Sequence, residues 1–183
     1  PPSPHNSSSA ASDVYKRQQM RYEGFGPNGT SIIVEALTDN RNRTASNVRS
    51  AFQKFGGSMG ETGSVSHAFN HYGFVRYNKD VTSEEDFFNF SIEGGAEDCF
   101  IEEDTYEAVS TPETLSNLYN YLDKKFGEPV SSGFQWKPVT YVAIEGDKLK
   151  SLINLLNELD NDEDVQQVFS NFEASDEELA KFA

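Results

Sequence analysis

The sequence predicts an α+β protein built from two ferredoxin-like βαβ-βαβ modules, one inserted into the other. Residues 72–134 alternate β-forming runs with amphipathic helices in the order strand-helix-strand-strand-helix-strand, which is the split βαβ arrangement. Once that segment is removed, the flanks at 30–70 and 135–172 read βαβ followed by βαβ. The predicted domains are an outer module at 20–71 plus 135–175, an inserted module at 72–134 and a charged tail at 176–183.

The outer module is organised around a buried strand. Residues Thr30–Leu37 form an unbroken β-forming run, and its Ile-Ile-Val centre is typical of a strand with both faces buried. A glycine-rich segment precedes this run and is predicted to form the turn that leads into the strand. The glycines expected to structure this turn are Gly24, Gly26 and Gly29.

A polar loop and an amphipathic helix follow this strand. Thr44 is predicted to be the N-cap of the helix, because its hydroxyl can accept from the backbone N–H groups of the first turn. The helix has apolar residues at i, i+4 and i+7 and is followed by two glycines that can end it. These residues are Val48, Phe52, Phe55, Gly56 and Gly57.

The remaining elements alternate in the same manner, with boundaries taken from β-forming runs, helical periodicity and capping residues. Strands are predicted at Ser64–Phe69, Phe74–Tyr77, Cys99–Ile101, Tyr106–Val109, near Val130 (short), at Val139–Ile144 (longer) and at Val165–Phe172, with a break at His71–Gly73. Helices are predicted from Thr82 to about Glu93, from Thr111 to Gly127, and from Asp147 with Leu149, Leu152, Ile153 and Leu156 inward.

Composition favours a cytoplasmic protein. The chain has one cysteine, Cys99, which excludes an internal disulfide and fits a reducing compartment. No apolar run approaches the roughly 20 residues that span a membrane, and the start of the chain has no apolar segment of a secretory signal. Residues 1–19, rich in Ser, Pro and Ala, are predicted to be a disordered tail, either native or extraneous.

Charge is unevenly distributed within the net −15. Residues 1–79 hold nine basic and five acidic residues, whereas residues 80–183 hold six basic and twenty-five acidic ones. Between Asp80 and Asp123 there are thirteen acidic residues and no basic one. Such a field repels phosphate backbones. The acidic half is either a solvated surface or a surface for a basic partner such as a ribosomal protein.

Two metal-like or cofactor-like patterns have simpler interpretations. Residues 24–29 match G-x-G-x-x-G, but a strand follows where a dinucleotide fingerprint needs a helix, so a turn is expected. Residues 160–164 carry alternating aspartates, but Val165 and Asn171 stand where a calcium loop needs glycine and a bidentate glutamate. No cofactor and no calcium are expected.

Catalytic chemistry is not expected either. His67 and His71 lie on a predicted strand, where a spacing of four does not bring two side chains to one metal. Cys99 sits in an acidic neighbourhood that disfavours a reactive thiolate. No Ser-His-Asp or Cys-His arrangement is visible in the sequence, so the protein is predicted not to be an enzyme.

Three segments together resemble a known family: RYEGFGPNGTSIIVEALTDNRNRT, FGGSMGETGSVSHAF and DVQQVFSNFE. They are similar to the YebC/PmpR family of transcriptional regulators, whose bacterial and mitochondrial members are also tied to translation on the ribosome. The resemblance covers roughly Met20 to Glu173 and implies the same nested architecture. It does not include the family's amino-terminal helical domain with its basic GHSKW-type opening, so the chain is expected to lack that domain.

The candidate site is the polar loop of the outer module, within the most distinctive motif of the resemblance. Arg41 and Arg43 are flanked by Asn40 and Asn42, and all four side chains can bond phosphates, sugars or base edges. The patch is predicted to extend to Arg49 and Lys54 on the following helix and to Arg21 before the glycine turn.

An alternative for this loop is purely structural. Asp39 could pair with one of the two arginines, or the arginines could pair with Glu23, and either pairing would serve to fix the loop. At the level of function, the first hypothesis is a non-enzymatic regulator of gene expression. It would act as a DNA-binding transcriptional regulator and/or a ribosome-associated translation factor, with DNA, ribosomal RNA and/or ribosomal protein as partner. The second is a ligand-sensing or protein-interaction module with no direct nucleic-acid contact.

Overall fold

A computed structural model describes residues 16–182 and divides them into two compact units. The first unit comprises 16–69 with 138–182, and the second comprises 70–137. The predicted insert at 72–134 lies within the second unit. The fold class is confirmed as α+β with two ferredoxin-like modules, each built on a four-stranded sheet.

The elements occur in the following order. The strands are β1 (Gln18–Phe25), β2 (Ser31–Thr38), β3 (Ser58–Met59), β4 (Phe69–Asn78), β5 (Asp98–Ile101), β6 (Thr105–Ser110), β7 (Ser131–Pro138), β8 (Val142–Ala143), β9 (Val165–Ser170) and β10 (Phe172–Glu173). The helices are α1 (Arg41–Lys54), α2 (Glu84–Glu93), α3 (Leu115–Phe126), α4 (Gly146–Asp160) and α5 (Asp176–Ala180).

The outer module packs α1 and α4 against one face of a sheet with the order β3-β1-β2-β9. All neighbouring strands of this sheet are antiparallel, and β1 pairs with β2 along its whole length. The core between sheet and helices includes Ile32, Val34, Phe52, Leu152 and Leu155, none of which retains measurable exposure. Each such side chain contributes about 1.5–3 kcal/mol on burial, so this layer holds the start of α1 in place.

The opposite face of the outer sheet is also buried, which explains the continuous apolar run in β2. Glu23 of β1 is fully buried on this face, and its carboxylate accepts from the backbone N–H groups of Gly63 (2.7 Å), Val65 (3.1 Å) and Ser66 (2.7 Å). Burial acts to raise the pKa of Glu23, but these three donors and the charge of Arg21 hold it below its ordinary value.

The inserted module has the strand order β5-β6-β4-β7, which is the ferredoxin-like order. Helices α2 and α3 cover one face, and the core between them and the sheet is rich in aromatic side chains such as Tyr77, Phe87 and Tyr106. The rings of Phe87 and Tyr106 stack with centroids 4.9 Å apart. Among residues 16–182, strand β5 pairs only with β6, so its other edge is the open edge of the sheet.

Several predicted boundaries are wrong in the outer module. Strand β1 was not expected, because its polar residues at Gln18, Gln19 and Arg21 interrupt the apolar pattern by which a strand is recognised. The predicted N-cap Thr44 is instead buried inside α1, because Asn40 caps the helix one turn earlier. The helix that was predicted to be capped by Asp147 begins after Glu145.

Other corrections concern the inserted module and the segment after it. The predicted break at His71–Gly73 does not exist, since β4 is continuous. Position 73 requires glycine because a Cβ there would lie 2.7 Å from the side chain of Leu115. The cap of α2 is Ser83 rather than Thr82. The longer strand is β7 and the shorter is β8, the reverse of the prediction. Val139, which opened the predicted longer strand, is exposed and lies between the two.

The structure describes part of each predicted tail. Most of the predicted amino-terminal tail, 1–15, lies outside the described residues, whereas residues 18 and 19 belong to β1. The predicted charged tail at 176–183 contains the short helix α5, whose cap Ser175 accepts from the N–H of Glu178. Leu179 of this helix packs against the outer core, which gives a charged segment its fixed position.

Candidate nucleic-acid interface

The predicted arginine loop is the first turn of α1. The side chain of Asn40 accepts from the backbone N–H of Arg43 at 3.0 Å, and the backbone carbonyl of Asn40 accepts from the N–H of Thr44 at 3.1 Å. The N–H groups of Arg41 and Asn42 have no acceptor among residues 16–182. The start of α1 therefore presents unpaired donors and the positive end of a helix dipole.

Arg43 is committed to the structure of this turn. Its guanidinium donates to both carboxylate oxygens of Asp164 at 2.9 Å and to Asp39 at 3.0 Å. The hydrogen bonds to Asp164 and then Asp39 raise the pKa of Arg43. Because Asp164 also accepts from the Thr44 hydroxyl at 2.8 Å, these contacts tie α1 to the segment just before β9. The alternative in which an arginine pairs with Asp39 and fixes the loop therefore applies to Arg43.

Arg41 is in a different situation. It is exposed and forms no ion pair with any residue in the described range. It lines a cleft of about 670 Å³, together with Lys16, Gln18 and Tyr22 from the β1 side and Asn40 and Asn42 from the helix start. We call this the α1 cleft.

Tyr22 of β1 also lines the α1 cleft. It was not predicted to be a site residue. It is only 9% exposed, and its buried hydroxyl has no hydrogen-bond partner within the described part of the chain. Burial raises the pKa of Tyr22, the charge of Arg41 lowers it, and Asp164 raises it. The phenol is therefore a neutral donor at physiological pH, and because no described residue accepts from it, its hydrogen bond is open to a ligand in the cleft.

The other predicted site residues do not join the α1 cleft. Arg21 lies on the opposite face of β1, where it pairs with Glu23 at 3.3 Å. Lys54 lies about 20 Å along the helix axis from Arg41 and pairs with Glu158 at 3.3 Å. Arg49 is exposed on α1, about 12 Å along the axis from Arg41, and extends the basic character of that helix.

The predicted glycines have structural tasks. A Cβ at Gly24 would lie 2.7 Å from the Phe52 ring, so glycine lets α1 approach β1 closely. Gly26 precedes a 3-10 turn at Pro27–Gly29, of which Gly29 is the last residue; within it Asn28 has φ 61° and donates to the carbonyl of Ala143 at 3.0 Å. This arrangement is a turn between β1 and β2, and the chain continues from it into a strand rather than a helix.

The remaining candidates can be placed in the same way. His67 lies in the 3-10 turn before β4, and His71 stacks on Trp136 with centroids 4.2 Å apart. Burial raises the pKa of the Cys99 thiol; Ser91 lowers it and Asp98 raises it. Across residues 16–182 no group of three or more His, Cys, Asp or Glu side chains is arranged to hold a metal. None of the helices in that range is long and apolar enough to cross a bilayer.

The fold and this site define a nested two-module α+β protein with a cationic helix start. Residues 17–172 match the family described as the TACO1/YebC second and third domain, and the chain belongs to this family. The family resemblance seen in the sequence is confirmed, and it supports a regulator role of the transcriptional or translational-activator type in general terms.

A solved structure is similar to this chain. It is the crystal structure of a conserved hypothetical protein, Aq1575, from Aquifex aeolicus, with a TM-score of 0.78 and 37% sequence identity. The likeness covers 88% of this chain and 67% of that chain.

Proposed function

We propose that this protein regulates gene expression by binding nucleic acid directly, with a backbone phosphate held in the α1 cleft. The observation that carries the proposal is Arg41, an exposed guanidinium without an ion pair in the described range, beside unpaired helix-start N–H groups and the buried Tyr22 hydroxyl. Phosphate oxygens accept from donors of all three kinds. The protein acts as a binder in the cytoplasm, without catalysis and without a cofactor.

Charge favours the ribosome over free duplex DNA as the partner. A net charge of −15 repels a long phosphate polymer, and nonspecific affinity comes from the number of phosphates neutralised. The α1 cleft offers few cations, so it makes few such contacts by itself. Ribosomes present RNA and basic proteins side by side, and a ribosome-associated role in translation therefore fits better than DNA-binding transcriptional control.

The test is cosedimentation of the chain with purified ribosomes through a sucrose cushion across a salt series, with excess duplex DNA as competitor. The structure selects Arg41→Glu as the variant, because Arg43→Glu would also disrupt the start of α1. Lys150→Glu is the matched control, since Lys150 is an exposed residue of α4 outside the α1 cleft and the charge change is identical.

We expect salt-sensitive pelleting that survives the DNA, is weakened by Arg41→Glu and is retained with Lys150→Glu. The slope of log affinity against log salt should become shallower by about 1 when one phosphate contact is removed. Release by duplex DNA would favour the transcriptional role. Equal pelleting of wild type and both variants would contradict contact at the α1 cleft.

A further inference from the structure

A second surface, unrelated to the α1 cleft, lies on the inserted module. A groove of about 450 Å³ runs between α2 and the open edge of β5. Its floor is made by Phe87, Cys99 and Tyr106, and its walls by Phe88 and Ile101. We call this the α2–β5 groove.

The walls of the α2–β5 groove are apolar and unusually exposed. Phe88 and Ile101 are each 49% exposed, and Ile92, one helical turn after Phe88, is also exposed. Phe100 points to the other face of β5, where Lys137 lies 3.6 Å from its ring centroid. Exposure of several large apolar side chains around one concave site is typical of an interaction surface.

The rim of the groove is acidic and uncompensated. Glu84 and Glu85 line its helix side, and the turn directly after Ile101 carries three further acidic residues, Glu102, Glu103 and Asp104. None of these five carboxylates forms an ion pair with another residue between 16 and 182. The groove therefore combines an apolar centre with free negative charge around it.

We propose that the α2–β5 groove binds a basic, apolar-anchored segment of a partner protein. Apolar side chains of that segment would fill the space between Phe88 and Ile101, while its lysines or arginines would meet the acidic rim. The unpaired edge of β5 can also accept an extended backbone as an added strand. This inference concerns a different module and a different ligand from the proposed nucleic-acid contact, and it stands or falls separately.

Charge also disfavours other ligands for the α2–β5 groove. A second copy of this chain carries a net −15 and would bring like charge to the rim. Residues 1–15 contain no lysine or arginine, so that part of the chain lacks the complementary charge. Nucleic acid is repelled for the same reason.

The test uses fluorescence anisotropy of a short labelled peptide of alternating Lys and Leu, titrated with the full chain. Control peptides replace each Leu with Ser at equal charge, or each Lys with Glu. Groove variants are Phe88→Ser and Ile101→Thr. Val130→Thr is the matched control, because Val130 is an exposed apolar residue of the same module outside the groove.

We expect the Lys/Leu peptide to bind at least about tenfold more tightly than either control peptide, since one anchored side chain is worth that factor. Each groove variant should lose about tenfold in affinity, and Val130→Thr and Arg41→Glu should lose none. Because the replaced side chains are half exposed, the variants should keep the circular dichroism spectrum of the wild type.

Three results would overturn the proposal. Equal binding of the Lys/Leu and Lys/Ser peptides would indicate charge attraction alone, and absence of binding would remove the site. A wild-type dimer in sedimentation that becomes a monomer with Ile101→Thr would assign the groove to a second copy of the chain.

Discussion

The two modules share a fold class but treat their charged side chains in opposite ways. In the outer module, Arg43, Lys54 and Arg21 all pair with carboxylates, whereas Arg41 at the start of α1 forms no ion pair within residues 16–182. In the inserted module, Glu107 is the carboxylate that forms ion pairs, with Arg76 and Lys137, and it also accepts from Gln135. The lesson is that unpaired charge, more than total charge, marks where each module can meet a partner.

The largest predicted effect concerns the paired carboxylate of the inserted module. Glu107→Ala should lower the free energy of unfolding by about 3 kcal/mol, because it leaves two partly buried cations without the buried carboxylate that they share. Glu103→Ala, at a solvated carboxylate of the same module, should leave it unchanged. Urea unfolding followed by fluorescence measures both effects. Equal effects of the two substitutions would contradict the distinction between the paired and the solvated carboxylate.

The same residue predicts a pH dependence. Burial acts to raise the pKa of Glu107, but hydrogen bonds from Lys137, Arg76 and Gln135 hold it below its ordinary value. Because the folded pKa lies below the unfolded value of about 4.3, this contribution is fully present above that pH and is lost as pH falls through the folded pKa.

The urea midpoint of the wild type should therefore drop between about pH 5 and pH 3 more steeply than that of Glu107→Gln. Glu23 and Asp164, whose pKa values are also lowered, are present in both proteins. Their protonation therefore lowers the stability of both proteins by the same amount as pH falls. Identical slopes for wild type and Glu107→Gln would show that Glu107 is not stabilised by its partners.

A smaller effect separates the two arginines of the outer module. Arg43→Ala should lower the melting temperature, because Asp39 and Asp164 lose their shared partner at the start of α1. Arg41→Ala should leave the melting temperature unchanged and weaken ribosome binding. Differential scanning calorimetry with cosedimentation measures both properties, and a stability loss for Arg41→Ala would mean that this arginine is structural too.

The smallest change tests the hydroxyl of the α1 cleft. Tyr22→Phe removes an unsatisfied buried donor, so the folded protein should be as stable or up to about 1 kcal/mol more stable. Ribosome affinity should fall severalfold if the hydroxyl donates to a bound phosphate. Unchanged affinity together with higher stability would leave the hydroxyl without a function in binding.

The sequence indicated much of this architecture, because apolar periodicity and glycine positions follow from burial. The run around Ile32 predicted β2, and the apolar spacing of Val48 and Phe52 predicted α1. Strand β1 was hidden because its exposed residues are polar, and Tyr22 was missed with it. Alternation of Gln18, Met20 and Tyr22 along one strand face is the signal that could have revealed both.

The site itself was only partly predictable. The sequence showed two arginines in one polar segment and left open whether they pair with carboxylates. Asp164, which decides the matter for Arg43, is 121 positions away in the chain. The helix start was placed too late because Asn40 and Thr44 are both good caps, and the earlier one is used.

The central claim is that the two modules meet different partners, and heteronuclear NMR of the labelled chain tests it most directly. Single-stranded RNA should shift amide resonances of Tyr22, Arg41 and Asn42 while those of Phe88 and Ile101 stay in place. The Lys/Leu peptide should produce the reverse pattern, and each ligand should bind in the presence of the other. RNA shifts centred on the inserted module, or one shared set of shifts for both ligands, would contradict the account.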